Sequence, residues 1–277
     1  MGLYEPQVTS YDYGGLLDEA GEVTEKYLEC RKVLARFLRR PELLEKTFPP
    51  ARRLPESPVL ELESTLSLRE AFGALTDGEQ RCISSAVPLP AEQVGLGYGY
   101  ILYRTRVPST NKLPLTFGRE AIRDFASVMS GGNVLGTIYR NDSRPGSREF
   151  ELPEEGCEIE VLVDMMGRVN FGPALLTERK GLVGPGSVQL GSPFTGPMRA
   201  VLGWSIFPLP MDEDSLSKLP WSDSSGRQGW KRGPRFFRYG LHVQQPADGF
   251  LALDGLRKGF ACVNGFNLGR YWEASVT

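Results

Sequence analysis

Acidic side chains close together in the sequence are the first to consider, because carboxylates act as general acids, general bases and nucleophiles. The closest groups are Asp212, Glu213 and Asp214, the pair Glu154 and Glu155, and the pair Glu158 and Glu160. The first two groups lie in a polar loop and beside a turn, where neighbouring carboxylates are normally solvated. The third alternates with apolar residues, which places it on the polar face of a strand. The sequence therefore predicts no catalytic residue among these groups.

Thiol and metal chemistry have few residues to draw on. The cysteines are Cys30, Cys82, Cys157 and Cys262, and His242 is the single histidine. Neither the spacing of two cysteines three residues apart nor a histidine pair is present, so zinc and thiol catalysis are both disfavoured. We expect free, mostly buried cysteines in a reducing compartment, with scattered disulfides as the alternative. No metal and no cofactor are predicted.

A glycine run before the segment YILYRT is the remaining candidate for binding chemistry. Gly95, Gly97 and Gly99 alternate with large residues and lead into a strand pattern. A phosphate-binding loop leads into a helix, whose N-terminus holds the anion. The glycines therefore indicate close backbone packing and not a nucleotide site.

The bulk composition limits the partners and the compartment. The 277 residues allow about two domains, and 32 basic against 34 acidic side chains exclude a strongly basic nucleic-acid surface. No apolar stretch approaches the roughly 20 residues of a membrane span, and no signal sequence follows Met1. We predict no nucleic-acid partner, no membrane association and a cytoplasmic protein, unless a missing start carries a secretion signal.

The elements that must position any site fall into two kinds. Residues 7–13 read as one strand, and a helix follows in which Thr24 is the expected cap and Tyr27, Cys30 and Leu34 recur at helical spacing. This βα unit has no second unit beside it. Residues 39–58 form a proline-rich connector. Short strands are then predicted at 98–107, 113–117, 122–129, 134–139 and 158–164, which is typical of a sandwich or barrel.

The last part of the chain repeats this pattern less completely. Residues 208–234 read as a long loop, and strands are predicted at 236–243, 250–253 and 259–263, with turns at Asp248-Gly249 and Asp254-Gly255. On the strand at 158–164, Ile159, Val161 and Val163 are expected inward and Glu158, Glu160 and Asp164 outward.

Four segments carry a resemblance to a known family in one order along the chain. They are TSYDYGGLLDEAGEVTEKY at 9–27, GYGYILYRT at 97–105, MGRVNFGPALLTERKGL at 166–182 and VNGFNLGRYW at 263–272, with GWSIFPLP at 203–210 as a further match. The chain resembles the β-galactosidases of glycoside hydrolase family 35 and their relatives. The resemblance implies a mainly β protein whose jelly-roll-like β-sandwich domains follow the last βα unit of a TIM barrel.

The resemblance also implies a division of the chain. Residues 1–40 would be a remnant of the catalytic (β/α)8 barrel and 41–57 a linker. Residues 58–207 would form the first all-β domain, 208–231 a linker loop, and 232–277 a truncated galactose-binding-like β domain. Within the last segment, Asn264-Gly265 can form a tight turn and Tyr271 and Trp272 can pack on a sandwich.

Family members cleave terminal β-linked galactose with retention, using two glutamates about 5 to 5.5 Å apart. By resemblance both belong to earlier barrel strands upstream of Met1, so no catalytic residue is assigned in this chain, which is expected to be inactive alone. Tyr13 matches a family tyrosine that lines the galactose pocket and is the predicted substrate contact. Family members often continue TSYDY with Asp-Ala-Pro, whereas Gly14-Gly15-Leu16 follows here, so the loop after Tyr13 departs from the family pattern.

Two other functions stay open at the level of sequence. The expected ligand is a β-galactoside carbohydrate, and a noncatalytic carbohydrate-binding or scaffold module would use it without hydrolysis. An interaction protein would instead associate through exposed sheet edges, because unpaired strands form a ready template for a second chain.

Overall fold

A computed structural model describes residues 14–18, 21–44, 58–142, 148–194, 196–222 and 232–273. Tyr13 and the strand predicted at residues 7–13 lie outside this range. The described residues form two compact units, the first running from Leu62 to Tyr239 and the second combining residues up to 61 with those from 240 onward. Each unit is described by itself.

The helices and strands follow in chain order. The helices are α1 (Glu25–Ala35), α2 (Leu68–Leu75) and α3 (Glu213–Ser217). The strands are β1 (Glu61–Ser67), β2 (Ile83–Ser85), β3 (Gly99–Val107), β4 (Leu115–Phe117), β5 (Ile122–Arg123), β6 (Phe125–Ser130), β7 (Asn133–Tyr139), β8 (Glu149–Phe150), β9 (Cys157–Met165), β10 (Gly181–Leu182), β11 (Val188–Leu190), β12 (Arg199–Ala200), β13 (Trp204–Leu209), β14 (Arg235–Gly240), β15 (Lys258–Val263) and β16 (Phe266–Trp272). The fold is mainly β, as predicted.

The first unit is built on a six-stranded antiparallel sheet with the strand order β2-β13-β3-β9-β6-β7. Its centre is the long pair β3 and β9, which runs in register from Gly99 opposite Met165 to Val107 opposite Cys157. A four-stranded sheet, β12-β11-β4-β8, accompanies it. Side chains such as Ile101, Phe117 and Val161 belong to one buried cluster drawn from strands of both sheets. Antiparallel sheets sharing such a core are the expected sandwich arrangement.

The outward face of β9 differs from the prediction. Ile159, Val161 and Val163 are fully buried as expected, but Asp164 is only 4% exposed. Asp164 is buried because β9 lies between β3 and β6, where Asp164 pairs with Tyr100 and Phe125. A central strand has little water on either face near the middle of a domain.

Three other strand predictions and one loop prediction need correction. The single strand expected at 122–129 is two strands, β5 and β6, separated at Asp124. The loop expected at 208–234 contains the end of β13 and the short helix α3. Residues 250–253 form no strand, and the strand expected at 236–243 is β14, which ends at Gly240.

The helix α2 packs on the first unit with a complete N-terminal cap. Glu70 N donates to Ser67 Oγ at 3.2 Å, and Ser67 N donates back to Glu70 Oε2 at 2.6 Å. This reciprocal pair satisfies two backbone donors that the first turn would otherwise leave open. The Arg104 guanidinium then lies over the rings of Phe72, at 4.5 Å, and Phe207, at 5.2 Å. Cation–π contacts of this kind fasten the helix to the sheet.

The second unit contains α1 and the hairpin of β15 and β16. Thr24 caps α1 as predicted, accepting a hydrogen bond from Tyr27 N, but none of the side chains in this helix is buried. The hairpin turns at Asn264-Gly265, whose φ angles of 50° and 84° are both in the left-handed region. Asn-Gly is the preferred pair for such a turn, so this prediction is confirmed.

Candidate functional site

Five of the seven acidic side chains singled out in the sequence make structural contacts in the described residues. Asp212 caps α3, where its Oδ1 accepts from Ser215 N at 2.9 Å, and the hydrogen bonds from Ser215 lower the pKa of this carboxyl. Asp214 Oδ2 accepts from Lys218 Nζ at 2.8 Å. Caps and surface ion pairs of this kind stabilise a helix and leave no carboxylate positioned for catalysis.

Three of the other singled-out carboxylates, Glu154, Glu158 and Glu160, are paired with cations. Glu154 Oε1 lies 3.0 Å from Lys112 Nζ. Glu158 and Glu160 both face Arg104, at 3.8 Å and 3.0 Å. Two carboxylates on one guanidinium form an ion-pair network.

No group of three or more His, Cys, Asp and Glu side chains in the described part of the chain is arranged to hold a metal ion. All four cysteines are free thiols, as predicted, but the expected burial is wrong: three are partly buried and Cys262 is exposed. Cys262 lies on the two-stranded hairpin, whose faces cannot bury a side chain as the sandwich does. No helix among the described residues is long and apolar enough to cross a membrane.

Sequence reasoning missed a buried cluster of charges in the described part of the chain. Lys180 Nζ and Asp124 Oδ2 are 2.6 Å apart, and both side chains are completely buried. Arg140 Nη1 lies 2.7 Å from Asp124 Oδ1 and 2.6 Å from Glu178 Oε1. Arg123 Nη1 adds a contact to Glu178 Oε2 at 3.3 Å. We call Arg123, Asp124, Arg140, Glu178 and Lys180 the buried charge cluster.

The electrostatics of this cluster follow from burial and pairing. Burial lowers the pKa of Lys180, and the attraction of Asp124 offsets this only in part. Burial also opposes the charge on Arg140, but hydrogen bonds to Glu178 and Asp124 outweigh it and raise its pKa. The Lys180 ammonium donates to Gly167 O at 3.0 Å as well as to Asp124. These hydrogen bonds compensate the charges that the fold takes out of water.

Asp124 and Glu178 resemble a catalytic pair in one respect. Both bind the same Arg140 nitrogen, so their oxygens lie within reach of the separation of about 5 to 5.5 Å that retaining glycosidases use. Yet Asp124 is fully buried and Glu178 is 11% exposed, and cationic groups occupy the space between them. A sugar has no access to this pair, so its role is structural.

Glu92 and Arg168, beside the buried charge cluster, connect two of the segments that carry the family resemblance. Arg168 Nη1 binds Glu92 Oε1 at 2.6 Å, and Arg168 Nε donates to Gly97 O at 2.9 Å. Glu92 also accepts from Lys180 N at 3.2 Å. Hydrogen bonds from Arg168 and from the backbone of Lys180 outweigh the partial burial of Glu92 and lower its pKa. The start of GYGYILYRT and both ends of the loop in MGRVNFGPALLTERKGL are therefore fixed to one another.

Tyr103 provides a second connection between these segments. Its hydroxyl donates to Leu89 O at 2.8 Å and accepts from Leu182 N at 3.0 Å. Burial raises the pKa of Tyr103. A buried hydroxyl that satisfies a carbonyl and an N–H from two other segments fixes the spacing between them. In the sequence only the family motif GYGYILYRT marked Tyr103, because no periodicity predicts a hydrogen bond between residues so far apart.

The loop held at both ends exposes large apolar side chains. Phe171 is 88% exposed, Leu176 is 84% exposed and Leu175 is 53% exposed. A short 3₁₀ helix, Pro173–Leu176, carries the two leucines. Adjacent exposed side chains of this size are more typical of an interaction surface than of a solvated loop.

Comparison with known proteins agrees with this architecture. The family model of the β-galactosidase first all-β domain matches residues 88–210, and that of the β-galactosidase galactose-binding domain matches residues 234–276. A β-galactosidase of Xanthomonas manihotis is 37% identical over 275 residues, which are 98% of this chain and 41% of the relative. The β-galactosidases of Macaca fascicularis and Homo sapiens are 34% and 32% identical, each over 98% of this chain and 40% of the relative.

The fold and these matches define a protein with sandwich-type β domains of the kind found in β-galactosidases. The chain belongs to the β-galactosidases of glycoside hydrolase family 35. It spans about two-fifths of the length of the curated relatives that it matches. The predicted domain boundaries and the barrel remnant at residues 1–40 stay predictions.

Proposed function

We propose that this chain is part of a β-galactosidase-type glycoside hydrolase that acts on terminal β-linked galactose, and that it does not hydrolyse such substrates alone. Family membership over nearly the whole chain is the observation that carries the first half. The ion pairs and the cap described for the candidate carboxylates support the second half, because a retaining mechanism needs two accessible carboxyl groups across the sugar.

The role of the described residues in such an enzyme would be architectural. The buried charge cluster and Tyr103 hold the loop that exposes Phe171 in one conformation. Rigid support of this kind is what a binding constellation requires from its surroundings. We also propose that Tyr13 contacts the sugar in a complete enzyme, since a tyrosine hydroxyl can bond a sugar hydroxyl while its ring covers an apolar face.

A hydrolysis assay tests the proposal directly. We expect the purified chain to release no nitrophenol from a nitrophenyl β-galactoside above the rate of a matched preparation from a host lacking β-galactosidase. Adding the upstream segment of the Xanthomonas manihotis relative as a separate chain should restore hydrolysis if the two parts assemble. In that mixture Tyr13→Phe should raise KM, whereas Tyr239→Phe is the control. Hydrolysis by the chain alone would contradict the proposal.

A noncatalytic carbohydrate-binding function is the second candidate, favoured by the match of residues 234–276 to a galactose-binding domain. Calorimetric titration with galactose and lactose distinguishes it. Heat of binding together with a rise in melting temperature at millimolar sugar would support a binding module, because a ligand that binds only the folded state stabilises it. Absence of both would remove this candidate.

A further inference from the structure

The loop between β9 and β10 holds apolar side chains in water at the surface of the first unit. Phe171, Leu175 and Leu176 are all exposed, and we call these three residues the apolar patch. Single apolar residues scattered over a surface are normal, but neighbouring ones of this size mark a site of contact with other protein. The apolar patch is therefore a candidate interaction surface.

Contacts inside the loop fix the shape of the apolar patch. Leu175 N donates to Gly172 O at 3.2 Å, and Glu178 N donates to Ala174 O at 2.8 Å. The ends of the loop are held as well, by Arg168 on one side and by the buried charge cluster on the other. Because the loop is already ordered without a partner, docking would cost little conformational entropy.

A second segment adds to the surface beside the loop. Arg168 Nε donates to Gly97 O at 2.9 Å, and Arg168 Nη1 binds Glu92 Oε1 at 2.6 Å. Tyr98, the residue after Gly97, is 64% exposed. Aromatic residues and arginine are the types enriched where proteins meet, and lysine and glutamate are depleted there. The composition of this surface is therefore that of a protein contact.

The lengths of the relatives indicate what covers the apolar patch. This chain covers 41% of the β-galactosidase of Xanthomonas manihotis and 40% of that of Homo sapiens, so more than half of each relative lies outside the match. In such a protein the remaining part is joined covalently to the loop, at an effective concentration on the order of millimolar for a short linker. A second copy of the chain would have to reach the apolar patch from solution, so the remaining part has the advantage.

We propose that the apolar patch is the docking surface for the upstream catalytic region of the β-galactosidase to which this chain belongs. That region presents an apolar surface of its own, which covers Phe171 and Leu176. The inference rests on the proposed function, because it takes this chain to be one part of such an enzyme, and it assigns the surface through which the two parts meet.

Amide hydrogen exchange tests the proposal in a single polypeptide. The upstream segment of the Xanthomonas manihotis relative is joined to Met1, and exchange in peptides spanning 169–177 is compared with that in the chain alone. We expect exchange in the joined protein to be slower by about tenfold or more. Equal exchange in the two proteins would overturn the proposal. Protection in the chain alone that grows with protein concentration would assign the apolar patch to a second copy and would also overturn it.

Substitution of an exposed ring separates docking from folding. Phe171→Ser should leave the melting temperature of the chain alone unchanged, because this ring is 88% exposed there, and should abolish the added protection in the joined protein. Phe194→Ser is the matched control, since Phe194 is 89% exposed in the same unit and lies outside the loop. If the two substitutions act alike in the joined protein, the apolar patch is not the docking surface.

Hydrolysis of a nitrophenyl β-galactoside by the joined protein measures the proposed function separately. Protection of 169–177 without hydrolysis would support the docking surface and contradict the function. Hydrolysis without protection would support the function and overturn the docking surface.

Discussion

At the scale of single residues, the completely buried Lys180 is the side chain whose loss we expect to cost most. Lys180→Met removes the cation nearest to Asp124 and leaves a fully buried carboxylate with one partner fewer. Breaking a buried pair from one side typically costs about 3 to 5 kcal/mol. We therefore expect Lys180→Met to lower the free energy of unfolding by about that amount in urea denaturation.

The control for this prediction is a lysine whose ion pair faces water. Lys112 and Glu154 are 81% and 58% exposed, so Lys112→Met should cost less than about 1 kcal/mol. Equal losses in the two variants would show that the buried charge cluster contributes no more than a surface pair. The lowered pKa of Lys180 is consistent with the burial on which the expected difference depends.

Glu70 should give the chain part of its sensitivity to acid. Hydrogen bonds from the Ser67 side chain and backbone lower the pKa of Glu70 in the folded state. The stabilisation is therefore complete above the unfolded value of about 4.3 and is lost as the pH falls through the lower folded value. Glu70→Gln keeps an acceptor oxygen but removes the charge, and should cost at most about 1 kcal/mol at neutral pH.

Thermal unfolding between pH 7 and pH 3 checks this expectation. The melting temperature of Glu70→Gln should fall less with acid than that of the unchanged chain, so the two curves should approach each other. Glu155→Gln, at an exposed position, is the control substitution. Parallel curves for Glu70→Gln and the unchanged chain would contradict a role for the Glu70 charge.

At the scale of elements, two glycines at the start of β3 should respond very differently to one methyl group. A Cβ on Gly99 would lie 2.7 Å from Leu209 O and 2.8 Å from Pro210 O, at a φ of 102°. Gly97 has open space around it and an ordinary φ. Gly99→Ala should cost about 2 to 4 kcal/mol, through strain and displacement of the β13 backbone. Gly97→Ala should change stability by at most about 1 kcal/mol.

Urea denaturation of the two alanine variants measures the difference. Both substitutions make the same chemical change in the same motif, so propensity alone predicts similar effects. A large loss at Gly97 with little at Gly99 would mean that the contact between the start of β3 and the end of β13 is not as described. The sequence analysis predicted close backbone packing at these glycines because they lead into a strand. The effect expected at Gly99 follows from such packing.

Sequence reasoning found elements whose formation depends on neighbouring residues, and it missed elements that depend on residues far apart in the sequence. The strands β3 and β9 were found because nine residues of suitable types stand between turn signals. The strand β13 was not predicted, and its residue Pro208 has no N–H to donate to a neighbouring strand. Yet β2 pairs with β13 only as far as Ile206, so Pro208 needs no donor on that side. Whether a proline is tolerated at position 208 therefore depends on where β2 ends, and β2 lies more than a hundred residues earlier in the chain.

The side-chain contacts that sequence reasoning predicted and missed differ in the same way, by how far apart the partners are in the sequence. The Asn264-Gly265 turn and the Thr24 cap involve neighbouring residues and could be read from the sequence. The pairing of Lys180 with Asp124 spans 56 positions, and that of Arg168 with Glu92 spans 76. Only family resemblance marked these segments as important, and it did not show why.

At the scale of the whole molecule, the exposed apolar side chains lead us to expect association between chains. Phe250 is 78% exposed and Phe266, on the hairpin, is 71% exposed. The hairpin is a sheet of only β15 and β16 within the described residues. Short sheets with open edges and apolar faces readily pair with further strands. We expect sedimentation velocity to show association that grows with protein concentration.

A substitution at the hairpin makes this expectation specific. Phe266→Ser should shift the distribution towards the monomer, because it removes apolar surface without altering the Asn264-Gly265 turn. His242→Ser, an exposed polar position in the same unit, should leave the distribution as it is. A single monomeric species at every concentration would exclude association through this surface.

The position of β13 between β2 and β3 bears on how the protein is made. Both neighbours leave the ribosome about a hundred residues before Trp204 does, which at usual rates of synthesis is a delay on the order of ten seconds. During that interval the nascent chain carries two strands whose shared partner has not yet been translated. Chaperones that shield strand edges should therefore raise the yield of soluble protein more than a lower growth temperature alone.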